Sequence, residues 1–198
     1  MTIDFDKLSG RYVYLRLLHP EHVPTIKELT RDARLWEYTK TLIIDDTFDE
    51  QFEKYIALAF NPVNMGEQYS FVIYETATDR IIGMTRYYKF EPAQKRLSIG
   101  YTWYIPEVWG KVHNKECKLL VLQYAFETLG FQRAEFEVAH RNVRSQKAVE
   151  KIGGVREGVL RKHGVQADGS VRDTVVFSII DEEWPEKKAA LLQLVEGQ

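Results

Sequence analysis

Cysteine is almost missing from this chain: Cys117 stands alone among 198 residues, so no intrachain disulfide can form. With five scattered histidines it offers no zinc-type ligand cluster, so no metal is expected, and a reducing cytoplasm suits it. Six prolines and twelve glycines are too few for a collagen-like or low-complexity chain. No apolar run reaches the roughly 18 residues that a membrane helix needs. Asp4 and Asp6 stand where an export signal carries positive charge. The expectation is a cytoplasmic protein that meets no membrane. Neither sign of charge dominates, since 27 Lys plus Arg face 29 Asp plus Glu, and no global cationic field exists to capture nucleic acid.

What is present is core material. Hydrophobic residues make up 44% of the chain and aromatics 13%. At this length folding hides roughly 70% of the extended chain's surface, which supports one ordinary core. Arg11 to Leu17 alternates in period two and predicts a strand, and helical spacing follows from His19-Pro20 through Val23, Ile26 and Leu29. A second helix is expected from Thr47 to about Phe60, stopped by Asn61-Pro62. Tyr69 to Tyr74, Ile81 to Phe90 and Leu97 to Tyr104 then read as an antiparallel meander.

Lys115 to Leu129 is apolar nearly all round, which predicts a helix covered on more than one side, ended by Gly130. Arg133 to Ala139 alternates again, so a β-α-β crossover with parallel pairing is allowed. Asn142 to Ile152 places Val143, Ala148, Val149 and Ile152 on one helical stripe, and strands follow at Val155 to Leu160 and Arg172 to Ile180 before a short C-terminal helix. The order βααβββαβαββα, with no linker or repeat, predicts one α+β domain over residues 1–198.

Two segments carry chemistry. In TWYIPEVWGKVHNKEC a strand ends, a loop with Gly110 intervenes, and a buried helix begins, with Asn114 as the expected N-cap and Lys111 and Lys115 beside it. Backbone N–H groups and the positive helix end converge there, and a phosphate is the natural occupant. In AHRNVRSQKAVEK the next helix starts at Asn142 with Ser145 in its first turn. Both helices are expected to leave the same ends of neighbouring parallel strands, where open sheets of this kind place ligands. Arg141, Arg144 and Lys147 form a basic run there, and Cys117 reads as a buried thiol.

On IGYTWYIPEVWGK and RNVRSQKAVEKIGGVREG the chain resembles the GCN5-related N-acetyltransferase (GNAT) superfamily, in the branch similar to ribosomal-protein N-terminal acetyltransferases. The resemblance implies a mixed central sheet of about seven strands flanked by helices, with an antiparallel meander and a parallel, splayed fourth and fifth strand. It implies acetyl-CoA wedged between those strands. Backbone amides of Trp109, Gly110, Lys111, Val112, His113, Asn114 and Lys115 then hold the pyrophosphate, with Asn142 and Ser145 near the pantetheine arm and thiol. The basic run would meet the 3′-phosphate. The acceptor implied is an amine, a protein or peptide N-terminus first, then a polyamine, amino acid or aminoglycoside. A CoA-binding module without turnover is the third reading, and a homodimer is expected.

The chain departs from the family's loop pattern Q/R-x-x-G-x-G/A, carrying Trp109, Val112 and Asn114 at its first, fourth and sixth places. The tyrosine that the family uses as general acid is Val149 here, so Ser145 is the candidate proton donor to the thiolate. The branch's glutamate base falls nearest Gly164, which leaves Glu135, Glu137, His113, His140 and His163 as candidates by type alone.

Overall fold

The computed structural model describes residues 8–39, 41–60 and 67–197, so Asp4, Asp6 and the Asn61-Pro62 stop lie outside the described residues. Its strands are β1 (Val13–Leu17), β2 (Glu67–Glu75), β3 (Arg80–Glu91), β4 (Arg96–Tyr104), β5 (Arg133–Ala139), β6 (Val155–Val165) and β7 (Val171–Ile180). They form one sheet in the order β1-β2-β3-β4-β5-β7-β6. The helices are α1 (Val23–Leu29), α2 (Phe48–Phe60), α3 (His113–Gln123), α4 (Val143–Lys151) and α5 (Trp184–Glu196). The predicted order of elements and the mixed sheet therefore stand.

Strand periodicity sorts the side chains onto two faces. On β3, Tyr87 turns toward α3 and donates its hydroxyl to the Val121 carbonyl. Met84 and, on β4, Trp103 turn toward α2, where the Trp103 indole donates to the Tyr55 hydroxyl at 3.0 Å. Helix α3 packs on β1 and α5, which is why its sequence is apolar nearly all round. A carboxylate locks the β1 end of this layer. Glu116 of α3, buried, accepts the backbone N–H groups of Arg11, Tyr12 and Val13 at 2.8, 2.6 and 2.7 Å.

Several boundaries differ from the sequence reading. Helix α3 starts at His113, with Val112 rather than Asn114 in the capping position. The Val112 side chain is buried in the core, so an apolar contact and not a polar cap sets the start. Its far end is not α-helical: Tyr124–Thr128 form a π turn before Gly130. Val143 was expected on the apolar stripe of α4, yet it is 55% exposed, and Val149 and Ile152 alone anchor that face. Strand β6 runs to Val165, five residues beyond its apolar start, because pairing with β7 continues through a register shift.

Candidate active site

The site is a gap in the sheet. β4 and β5 are parallel, and their pairing comprises only Arg96 with Arg133, Leu97 with Ala134 and Ser98 with Glu135. Beyond Ser98 and Glu135 both strands continue, β4 to Tyr104 and β5 to Ala139, without pairing to each other. A bulge sharpens the divergence. Between its pairs with Gly100 and Trp103, β3 advances two residues while β4 advances three, and Tyr101 takes a left-handed φ of 50° to absorb the extra residue.

At the wide end of this gap lie two helix starts. The loop before α3 turns at Gly110, whose φ of 75° is the conformation glycine adopts at least cost. Val112, at −67°, needs no such freedom, so the side chain at the family's fourth position is tolerated. No side chain caps α3, and the first-turn N–H groups of a helix have no intrahelical acceptors. Helix α4 is different: the Asn142 side chain accepts the Ser145 N–H at 3.0 Å. The two starts adjoin, since the Arg144 guanidinium of α4 lies 4.2 Å from the Trp109 ring of the α3 loop. Trp109 is itself held by an indole donation to the Tyr104 carbonyl at 2.7 Å. Lys115 on α3 feels Lys151 on α4, and burial first, then that neighbour, lowers its pKa. An uncapped helix start between unneutralised cations suits an anion with several oxygens.

The two mouths of the gap differ in chemistry. On the α3 face, Lys118 reaches under β4 and donates to Thr102 Oγ1 at 3.0 Å, with the Phe136 ring of β5 5.8 Å away. On the α2 face, the buried Arg86 guanidinium covers the Tyr101 ring at 4.2 Å and donates to Gln68 at 3.3 Å. Tyr88 meets Tyr101 edge to face and donates to Glu137 at 3.5 Å, and Lys89 also binds that carboxylate. Burial, and secondarily Glu137, holds the Tyr88 phenol neutral. Beside the end of β5 an open cleft of about 210 Å³ is lined by Tyr38, His140, Arg141, Gln166, Arg172 and Asp173, among others.

Residues 13–155 match the family model "Acetyltransferase (GNAT) domain". The chain belongs to the GNAT acetyltransferase family. It is similar to "Probable N-acetyltransferase YjcK" of Bacillus subtilis, 29% identical over 182 residues that cover 88% of this chain and 97% of that protein. It is also similar to "Putative ribosomal N-acetyltransferase YdaF" of the same organism, 31% identical over 54% of this chain and 58% of the relative. Among solved structures, an acetyltransferase from T. thermophilus superposes with a TM-score of 0.85 at 33% identity, covering 98% of this chain and all of that one. This GNAT protein is thus an N-acetyltransferase that uses acetyl-CoA.

The structure brings Trp109 to Lys115 together with Asn142 and Ser145 at the mouth of the gap. It separates the base candidates. The His113 ring turns to Glu75 at 3.2 Å, two strands from the gap. His163 meets Thr174 on the outer hairpin at 3.2 Å, and Glu135 is engaged by Arg133 at 2.9 Å. His140 lines the cleft, and Glu137 faces the gap under Lys89. Cys117 is buried, and burial pushes its thiol up, so it is no nucleophile. Lys118, Arg86 and Thr102 went unread. One signal for Lys118 was available: a lysine inside a helix apolar on every side has no solvent-facing position to occupy.

Proposed function

We propose that this enzyme transfers the acetyl group to the N-terminal amine of a peptide or protein, holding acetyl-CoA in the β4/β5 gap. The early end of pairing after Ser98 and Glu135 carries this reading. The residues fit the group. The uncapped start of α3 takes the pyrophosphate on the amides from Trp109 to Lys115, and Lys111, Lys115 and Lys151 supply the countercharge. Arg141, Arg144 and Lys147 lie at the adjoining start of α4, where the adenosine 3′-phosphate belongs. Acetyl-CoA supplies the activated acyl group. Ser145 lies one turn into α4 and returns a proton to the sulfur once the amide has formed. Fixing amine and acyl donor in one gap accounts for much of the acceleration. A reduced thiol and the use of acetyl-CoA suit the cytoplasm.

For the acceptor, the cleft beside β5 is the supporting feature. Arg141 and Arg172 face the single carboxylate Asp173, which is already engaged by the Lys162 N–H at 2.7 Å. A polycation is repelled by such a lining, whereas a peptide N-terminus brings one amine and a chain of carbonyls that arginines bind. The name of the relative YdaF points the same way. Turnover of a peptide panel against spermidine, free amino acids and an aminoglycoside tests this. Peptides should react at least about tenfold faster in kcat/KM. Preference for the polyamine would overturn the acceptor assignment.

A further inference from the structure

Lys118 is 6% exposed, an extreme burial for an ammonium, and among the described residues it has no carboxylate within ion-pair distance. Its polar contact is the Thr102 hydroxyl, itself 2.8 Å from Thr85 Oγ1, and its other neighbour is the face of Phe136. Thr102 and Phe136 both lie beyond the last β4/β5 pair, so the nitrogen sits at the floor of the gap between two strands that have parted. Burying a cation without a counter-ion costs several kcal/mol by general estimate, and cores rarely keep such a group.

We propose that the Lys118 ammonium is the counter-ion of the coenzyme A thiolate that leaves when the acetyl–sulfur bond breaks. The inference rests on the reading that coenzyme A occupies the gap. The amine nitrogen forms the new C–N bond, the C–S bond breaks, and its electron pair goes to sulfur. The surplus proton on nitrogen leaves to water, and the sulfur later recovers one from water through Ser145. The thioester is neutral and gives Lys118 little to bind, whereas the departing sulfur carries a full negative charge. The attraction is therefore realised in the transition state, where it accelerates the reaction, and hardly at all in the bound substrate.

The surroundings leave that role to Lys118. On its own helix the neighbour is Cys117, and on β4 and β3 the groups facing that thiol are Tyr104 and Tyr87. Burial keeps all three neutral, so none competes as an anion. Burial also lowers the Lys118 pKa, so the ion pair weakens as pH rises through that lowered value.

The test is the ionisation of enzyme-bound coenzyme A, read from thiolate absorbance in the ultraviolet with ligand-free protein subtracted. In the wild type the bound thiol should ionise about one pH unit or more below free coenzyme A. In Lys118→Met the shift should vanish, and in Thr102→Val it should diminish. The preference for coenzyme A over its desulfo analogue should fall about tenfold in Lys118→Met, and kcat about a hundredfold with KM nearly unchanged. A bound thiol that titrates as in free solution in the wild type overturns the proposal whatever the variants do. So does a shift that survives Lys118→Met. Failure of coenzyme A to bind the wild type instead overturns the reading of the gap itself, and the proposal with it.

Discussion

Glu116 closes three backbone donors with one carboxylate, and Gly10 makes room for it, since a Cβ there would stand 2.5 Å from Glu116 Cδ. Glu116→Ala leaves three N–H groups without an acceptor and should cost about 3–5 kcal/mol in urea unfolding, with β1 the first strand to lose hydrogen-exchange protection. Gly110 tests the anion loop with little steric confusion, because nothing lies within 4 Å of an added Cβ while its φ of 75° is strained for any other residue. Gly110→Ala should lower stability by about 1 kcal/mol and weaken coenzyme A binding in calorimetry, and unchanged affinity would place the phosphate elsewhere. Lys118 adds a pH signature. Its folded pKa lies below that of the unfolded chain, so between the two values the unfolded chain binds more protons and stability rises with pH. The difference in urea midpoint between wild type and Lys118→Met should close across that window.

At the scale of elements, the α4 start is the capped one, and Asn142→Ala should cost about 1 kcal/mol by removing the acceptor of the Ser145 N–H. That cap was legible in the sequence, as was the order of all twelve strands and helices, because strand alternation and helical stripes are local signals. The start of α3 was not. Asn114 is a good cap by type, yet the buried Val112 fixes the first turn, a tertiary contact that residue preference does not contain. The π turn at Tyr124–Thr128 escaped notice for a similar reason: it leaves the apolar pattern intact while shifting the hydrogen bonds, as the Leu129 N–H reaching the Tyr124 carbonyl shows. The left-handed Tyr101 was invisible too, since a tyrosine carries no preference for that conformation and the bulge alone imposes it.

Across the whole molecule, the loop segment and the α4 start were found from sequence, but the floor of the gap was not, because Lys118, Thr102 and Phe136 meet only when α3 is laid across β4 and β5. The far edge of the sheet is also a property of the assembled fold. β6 is the terminal strand and exposes Val155, Val159, Leu160 and, at 74%, Val165, with Val171 beside it on β7. A second copy pairing along that edge would cover an aggregation-prone stripe. Light scattering of the wild type should give a dimer mass and of Val159→Lys/Val165→Lys a monomer mass, and a monomeric wild type would remove this assembly.

The account turns on the gap, and hydrogen–deuterium exchange with and without coenzyme A probes it most directly. Saturating ligand should slow exchange in residues 99–104 of β4 and 109–115 of the α3 start, and leave β1 and α5 unchanged. Protection confined to another face, or none in the two segments at saturation, would contradict the placement of the cofactor and everything built on it.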